Sequence, residues 1–199
     1  MANGRVITGY SLPWVALYAN SSGTITYSGG IPLARGVSVA FNISGGGNDF
    51  YADNVMAEAG AGTFTGGTVT LTVDGMKDAA RKLISGQTAT KSYGSQNAVT
   101  FDSYDDTAAA PYVGIGFVVR YQEAGEVSYD AVVLTKARFN VEGLDAKTQE
   151  ENVEYQTASL EAKLMRDDSS AHIWKLIKTG CETEAEAVAA YKAVLTPAA

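Results

Sequence analysis

The chain has 199 residues, of which 46% are hydrophobic, and this is enough for one sizeable core. Its formal net charge of −7 and its pI of about 4.7 disfavour sequence-specific binding of DNA or RNA, because an acidic surface repels phosphates. Cys181 is the only cysteine, which excludes an intrachain disulfide. No segment has the apolar length of a signal peptide or a membrane span, so we expect a protein that is made in a cytosol and stays soluble until it meets its partners.

The first part of the sequence is typical of an antiparallel β protein. Residues 1–12 are small and polar, and we expect them to form an arm that becomes ordered only on contact with another molecule. Alternating apolar and polar residues, separated by turns rich in Gly, Asn and Ser, then predict strands at residues 14–19, 24–27, 37–43, 50–58 and 63–73. The fourth of these is expected to be the return strand of the third.

The apolar pattern changes to a helical period after residue 73. Asp74 is suited to be the N-cap, and Gly86 stands where a left-handed C-cap belongs. The apolar residues of one helix face are Met76, Ala79, Ala80, Leu83 and Ile84. This spacing predicts a short amphipathic helix that flanks one edge or end of the sheet.

Residues 111–141 predict one long antiparallel hairpin around which the rest of the chain is organised. Both arms, residues 112–123 and 127–141, alternate between apolar and polar positions, which indicates two strands with one buried face each. Each arm spans roughly 40 Å at about 3.4 Å per residue. A compact domain of this chain length has a radius of gyration of about 16 Å. A sheet that continues across several subunits would account for strands of this length.

The alternation also predicts the register of this hairpin. A two-residue loop would place Tyr121 opposite Ser128 and set apolar against polar residues along the ladder. We therefore expect a three- or five-residue loop in which Gly125 adopts a positive φ. This register places Tyr121 opposite Tyr129 and Arg120 opposite Asp130. These four residues are the predicted contacts within the sheet or between subunits.

The C-terminal part is predicted to contain a strand pair and a helix. Residues 153–166 fit either a helix or a strand; the Thr and Tyr content and the turn at residues 167–170 favour a strand, with residues 171–177 as its hairpin partner. Thr183 and Glu186 form a capping box, and Val188, Tyr191 and Leu195 form the apolar face of a helix that ends before Pro197. The expected organisation is an arm over 1–12, a β-sandwich over 13–178 and a helical appendage over 179–199.

Residues that could carry chemistry are few, and for each of them we favour a structural role. His172 is the only histidine and lies beside no nucleophile motif. The loop acids Asp102, Asp105 and Asp106 are more typical of a solvated turn than of a cation site or a hydrolase. Trp14 and Trp174 are interpreted as core or subunit contacts rather than sugar platforms. The glycine-rich residues 44–49 have only one copy of a pattern that binds calcium in stacked repeats. We predict no catalytic, metal-binding or cofactor-binding residue.

The order of several segments carries a resemblance that covers nearly the whole chain. The segments are Asn48–Asn54, Thr68–Asp74 running into a helix closed by Leu83–Gly86, Ala110–Phe117 opening the hairpin, Tyr129–Phe139 with the element Lys136-Ala-Arg-Phe, and Leu160–Leu164 before a last strand that contains a tryptophan. In this order the sequence resembles the major tail proteins, or tail tube proteins, of siphophages, of the phi13 type.

The resemblance implies a mainly β fold, a β-sandwich or barrel-like tail tube fold with a long amphipathic hairpin, one short flanking helix and a C-terminal helix. It implies a structural virion protein without enzymatic activity or a cofactor, located in the tail after synthesis in the host bacterial cytoplasm. The implied partners are copies of itself in stacked hexameric rings, the tape measure protein, and the tail terminator and distal tail proteins. Viral DNA would pass through the lumen without sequence specificity, and no membrane is involved.

Two further expectations complete the sequence-based interpretation. The polar faces of the strands near residues 38–42 and 50–58 are predicted to line the lumen, with Asn42, Asp53 and Glu58 as the lumen-facing candidates. The alternative is a monomeric β-sandwich adhesin or carbohydrate-binding module that would use the two tryptophans and surface tyrosines as binding platforms.

Overall fold

The computed structural model describes residues 4–47, 50–52, 55–58, 62–95, 98–106, 108–140, 143, 146–148 and 155–196, and over these ranges the protein is mainly β. The strands within these ranges are β1 (Val6–Ser21), β2 (Thr24–Pro32), β3 (Gly36–Gly46), β4 (Phe50–Ala52), β5 (Val55–Glu58), β6 (Thr63–Val73), β7 (Thr90–Tyr93), β8 (Val99–Asp102), β9 (Val113–Glu123), β10 (Glu126–Phe139), β11 (Ala158–Met165) and β12 (Lys175–Cys181). The helices are α1 (Asp78–Ser85) and α2 (Glu184–Leu195). The predicted mainly β class is confirmed.

One large antiparallel sheet contains eight of these strands. Its hydrogen-bonded order is β2-β1-β9-β10-β11-β6-β3, and β12 joins it as a second neighbour of β10. Strand β10 therefore changes partner along one of its edges. Residues 129–134 pair with β12, and residues 136–139 pair with β11. The small hairpins β4–β5 and β7–β8 form separate two-stranded sheets.

The sheet folds over itself and encloses the main core. The ring of Phe41 in β3 lies 6.2 Å from the ring of Phe117 in β9, and Tyr10 in β1 contacts the same phenylalanine at 5.5 Å. The last strand of the sheet path therefore lies over its middle. Buried residues from both layers fill the space between them, namely Val15, Val69, Leu71, Ile115, Phe117, Leu134 and Leu164.

Helix α1 covers this core with Ala80 and Ile84, as the apolar spacing predicts. The predicted C-cap is also confirmed, because Gly86 has φ = 70° and its amide donates to the carbonyl of Lys82. The predicted N-cap is wrong, since the helix begins after Lys77. The carboxylate of Asp74 instead accepts from the amide of Arg35 at 3.0 Å and so joins two loops.

The long hairpin is confirmed as β9 and β10, but its predicted register is wrong. A two-residue turn, Ala124-Gly125, with φ values of 51° and 94°, connects the strands. Tyr121 consequently lies opposite Ser128, and Arg120 lies opposite Tyr129 rather than Asp130. The argument from alternation required one wet face, whereas both faces of these strands are buried over most of their length.

The prediction of which β10 residues face the main core is also wrong. The pairing between β9 and β10 shifts between Leu134 and Ala137, which is a β-bulge. Because of this bulge, Val132 and Leu134 face the same core as Ala137 and Phe139. Ala131 and Val133, which the simple alternation places with that core, face the other side of the sheet.

Helix α2 covers this other side and is not set apart from the sheet. Thr183 is its N-cap, and its hydroxyl oxygen accepts from the amide of Glu186 at 3.2 Å, as the capping box predicts. Tyr191 and Leu195 are buried as predicted, but Ala187 rather than Val188 completes the buried face. A second cluster joins them to Val118 and Val133 of the hairpin. The segment predicted to be an appendage thus closes the second face of the sheet.

Three other predictions are wrong. Residues 6–12 are the first part of β1, and residues 6–11 pair with β9 of the same chain, so this segment is ordered without contact with another molecule. Residues 158–165 are a strand as expected, but the last strand, β12, pairs with β10 and not with this strand. Strand β3 pairs with β6, while residues 50–58 contain the separate hairpin β4–β5.

Candidate self-assembly surfaces

Three strands of the large sheet, β2, β3 and β12, pair with only one other strand within the described part of the chain. Strands β2 and β3 terminate the sheet path, with β1 and β6 as their respective partners. Strand β12 pairs with β10 alone. An open edge presents unpaired backbone amides and carbonyls and can add a strand from another molecule, unless charges or prolines protect it.

Strand β3 has the properties of an unprotected edge. None of its residues from Gly36 to Gly46 is charged. Three of its apolar side chains are exposed, with Val37 at 52%, and Phe41 and Ile43 both at 41% of their full accessible surface. β-Branched and aromatic residues on an open edge favour pairing with a further strand. This edge is therefore the strongest candidate for contact with another copy.

Strand β2 at the other terminus of the path also carries no charge. Its sequence from Thr24 to Pro32 contains Thr, Ile, Tyr, Ser and Gly, and its one proline stands at the last position. The two ends of one sheet path are thus both uncharged and open. A β3 edge that pairs with the β2 edge of another copy would form a head-to-tail contact, and such contacts generate rings when the rotation closes.

Strand β12 differs from these two edges because it carries charge. Lys175 and Lys178 belong to this strand, and Lys178 also forms an ion pair of 3.1 Å with Glu186 of α2. Ile177 between them is exposed. Lysines on an edge strand discourage pairing with another chain. The charged β12 edge therefore serves as a control for the uncharged β3 edge.

The predicted lumen residue Asn42 lies in β3, exposed and opposite Thr68 of β6. The same face continues through Thr70 and, in β11, through Glu161 and Lys163. The face is polar, and the two β11 charges have opposite signs. Of the other two candidates, Asp53 lies outside the described residues, and Glu58 ends β5, where only the backbone is described.

The hairpin β7–β8 exposes a second apolar surface. Tyr93 and Phe101 contact each other edge to face at 5.9 Å, and Val99 lies opposite Tyr93 in the pairing. All three side chains are more than half exposed. Two-stranded sheets are marginally stable in isolation.

The predicted contact residues of the long hairpin are held within the chain, with partners that the sequence did not reveal. Asp130 is buried, and its carboxylate accepts two hydrogen bonds from Arg5, at 2.9 and 2.6 Å, and one from the amide of Gly180 at 3.0 Å. The same guanidinium lies 4.0 Å from the ring centre of Tyr121. Arg120 donates to the hydroxyl of Thr8 at 3.1 Å.

Tyr129 lies on the other face and packs, partly buried, against the cluster beneath α2. Sequence reasoning missed Arg5 because one arginine in a small, polar segment gives no sign of a partner 125 positions away.

A second polar cluster joins β1, β10 and the turn after β11. The ammonium of Lys136 donates to both oxygens of Asp168, at 3.0 and 2.8 Å, and lies over the rings of Tyr18 and Tyr112. The hydroxyl of Tyr18 also donates to Asp168, at 2.8 Å. These hydrogen bonds lower the pKa of Asp168, the one from Lys136 most strongly. No periodic pattern in the sequence indicates this cluster.

Asp102, Trp14 and Trp174, which were considered for chemistry, have structural partners. The ammonium of Lys82 pairs with Asp102 at 2.7 Å beside a cavity of about 510 Å³ between α1 and residues 102–110. The ring of Trp174 stacks on Phe64 at 4.4 Å, and Trp14 packs in the cluster beneath α2. Burial raises the pKa of the Cys181 thiol. The described ranges contain no group of three or more His, Cys, Asp or Glu residues that could hold a metal ion.

Comparison of the sequence with known protein families and with curated proteins found no match. In the part of the chain that the structure describes, neither helix has the length and apolarity needed to cross a membrane.

Proposed function

We propose that the protein is a structural virion protein that assembles into stacked, hexameric rings and so forms the tail tube of a siphophage. The observation that carries this proposal is the pair of uncharged open edges at the two ends of one sheet path, β2 and β3. The resemblance of the sequence to major tail proteins supplies the biological setting.

The edges support assembly through ordinary strand pairing. Soluble proteins protect open edges with lysines or prolines, as on β12, because an unprotected edge recruits other chains. Strand β3 lacks that protection over its full length and exposes Val37, Phe41 and Ile43. A subunit that pairs through this edge buries those side chains. The long β9 and β10 strands would then belong to a sheet that continues from copy to copy.

The charge distribution suits a channel for DNA. The net charge of −7 repels phosphates, and the polar face around Asn42 and Thr68 carries no charge within β3 and β6. A wall rich in lysine and arginine would instead retain DNA through counterion release. In the proposed tube, viral DNA passes without sequence specificity. The further partners are the tape measure protein, the tail terminator and the distal tail proteins.

Electron microscopy and size-exclusion chromatography of the purified protein test this proposal. The expected result is rings or tubes that grow with protein concentration. The double variant Val37→Lys/Ile43→Lys places two charges on the β3 edge and is expected to abolish assembly while leaving the fold intact. Ile177→Lys is the matched control, since it adds a charge to an edge that already carries two lysines.

A particle of 20.9 kDa at all concentrations would contradict the proposal and favour the monomeric adhesin or carbohydrate-binding module. Equal assembly of the β3 and β12 variants would show that the β3 edge is not the contact. Circular dichroism of each variant separates loss of assembly from loss of folding.

A further inference from the structure

The first part of β1 is attached to the domain differently from the second part. Residues 14–17 lie between two strands, with β2 on one side and β9 on the other. Residues 6–11 pair with β9 alone, and their other edge has no partner within the described chain. The exposed side chains of Val6 and Ile7 lie in this first part. Strand β1 is therefore two pairing units joined by residues 12 and 13.

The junction between the two units is strained. The register of β1 against β9 shifts between Ser11 and Trp14, so Leu12 and Pro13 form a bulge. Leu12 has φ = 52°, the left-handed region in which Cβ clashes with the backbone. A residue that precedes proline prefers an extended conformation. Both preferences oppose the bent geometry at this leucine.

The domain fixes the C-terminal side of this junction. The carbonyl of Leu12 accepts from the hydroxyl of Tyr191 at 3.1 Å, and the carbonyl of Pro13 accepts from the amide of Leu33 at 2.9 Å. These contacts fix the backbone at residues 12 and 13 to the domain. Straightening at Leu12 would swing residues 6–11 away from the domain.

The contacts of the first unit define a specific receptor surface. The unit pairs with β9 through Ser11↔Val118 and Val6↔Gln122, and Tyr10 packs on Phe117. Arg5, directly before it, binds the buried carboxylate of Asp130 at two points. A second copy of the chain offers the identical surface. A two-point ion pair at the end of the segment also fixes the register there.

We propose that residues 5–11 are exchanged between neighbouring copies, so that this segment of one chain pairs with β9 of the next copy and its Arg5 binds the Asp130 of that copy. The exchanged contacts are the same as those within one chain, so they stabilise the closed and the exchanged form equally. The relief of strain at Leu12 then decides which of the two forms is favoured. Short strained hinges favour this kind of exchange. The inference rests on the proposed self-assembly and specifies how two copies are joined.

Engineered disulfides distinguish exchange from closure within one chain. Val6 and Gln122 are both exposed and directly opposite, a spacing that a disulfide can bridge. Chains carrying Val6→Cys are assembled with chains carrying Gln122→Cys and then oxidised. Exchange predicts a mixed disulfide between the two kinds of chain, identified by mass spectrometry. In the double variant Val6→Cys/Gln122→Cys, exchange predicts covalently linked oligomers on a non-reducing gel.

The matched control uses Gln122→Cys again, combined with a cysteine on the other strand of the same hairpin. Gln122 is also directly opposite Val127, and a two-residue turn prevents these strands from exchanging. Mixing Gln122→Cys chains with Val127→Cys chains should give no mixed disulfide. Equal yields from both mixtures would mean random collision and would overturn the proposal.

A hinge variant tests the source of the exchange. Leu12→Gly removes the strain of the bent form and should lower the interchain fraction by roughly five- to thirtyfold. An unchanged fraction would count against the proposal. Electron microscopy of the same samples separates the two hypotheses: rings or tubes with only intrachain disulfides overturn the exchange and leave the proposed function standing, whereas a persistent monomer overturns both.

Discussion

The guanidinium of Arg5 binds both carboxylate oxygens of Asp130, at 2.9 and 2.6 Å, across 125 positions of sequence. The side chain of Asp130 is 5% exposed, and the arginine also lies over the ring of Tyr121. The start of β1 is thereby fixed to the middle of the sheet.

Removal of this arginine should therefore destabilise the domain. Arg5→Ala is expected to lower the free energy of unfolding by about 2–4 kcal/mol, because a buried carboxylate loses its charged partner. Arg5→Lys should recover only part of the loss, since an ammonium cannot reproduce the two-point geometry. Urea unfolding measures both. In the double variant Arg5→Ala/Asp130→Ala the two losses should not add; simple additivity would show that the pair does not act as a unit.

The two-residue turn of the long hairpin offers a stabilising change. Ala124 and Gly125 both have positive φ, a combination that asparagine followed by glycine satisfies best. Ala124→Asn should raise the free energy of unfolding by about 0.5–1 kcal/mol. Ala124→Val should lower it, because a β-branched residue disfavours this conformation. If thermal unfolding ranked valine above asparagine, the two-residue turn would be wrong.

Helix α2 approaches the sheet so closely at Gly116 that a larger residue there should overpack the core. A Cβ at Gly116 would lie 2.8 Å from a methyl carbon of Leu195 and 2.9 Å from a ring carbon of Tyr191. Gly116→Ala should therefore cost about 1–3 kcal/mol through overpacking, measured by urea unfolding. Leu195→Ala in the same chain should restore part of the loss. Gly62→Ala is the control, since its Cβ meets no described atom within 4 Å.

The cluster around Lys136 predicts a dependence of stability on pH. Hydrogen bonds from Lys136 and then Tyr18 lower the folded pKa of Asp168 below its unfolded value of about 3.9. The contribution of this carboxylate is therefore present above about pH 4 and is lost as the pH falls through the folded pKa. Asp168→Asn should be less stable than the parent at pH 7, and the difference should vanish in acid. A constant difference between pH 7 and pH 2 would contradict this assignment.

The proposed position of Asn42 in the lumen can be tested in a phage that carries the variant subunit. Asn42→Lys should slow DNA ejection without preventing tube assembly, because a positive wall retains phosphates. Ala189→Lys on the exposed face of α2 is the control. Unchanged ejection kinetics for Asn42→Lys would remove this residue from the channel wall.

Local signals in the sequence predicted many of the elements. The hairpin β9–β10, the strand at residues 158–165, the left-handed cap at Gly86 and the capping box at Thr183 all follow from contacts within a few residues. Such features depend on turn and cap chemistry that one short segment contains in full.

The errors concern relations between distant segments. The register prediction assumed one wet face on β9, but Tyr191 and Leu195 arrive from the C-terminus and bury the second face. Strand β12 pairs with the first part of β10, which is available because β11 pairs only with residues 136–139. The open edges of β2 and β3 could not be predicted either, because the alternation within one strand does not show which strands it pairs with.

The change of partner along β10 has a mechanical consequence. Its first part belongs to the layer that β12 completes, its last part to the layer that β11 completes, and both pair with β9. One covalent backbone therefore crosses from layer to layer without a loop. Both β11 and β12 are thus hydrogen-bonded to one continuous strand, so separating them means breaking the hydrogen bonds that one of them makes to β10.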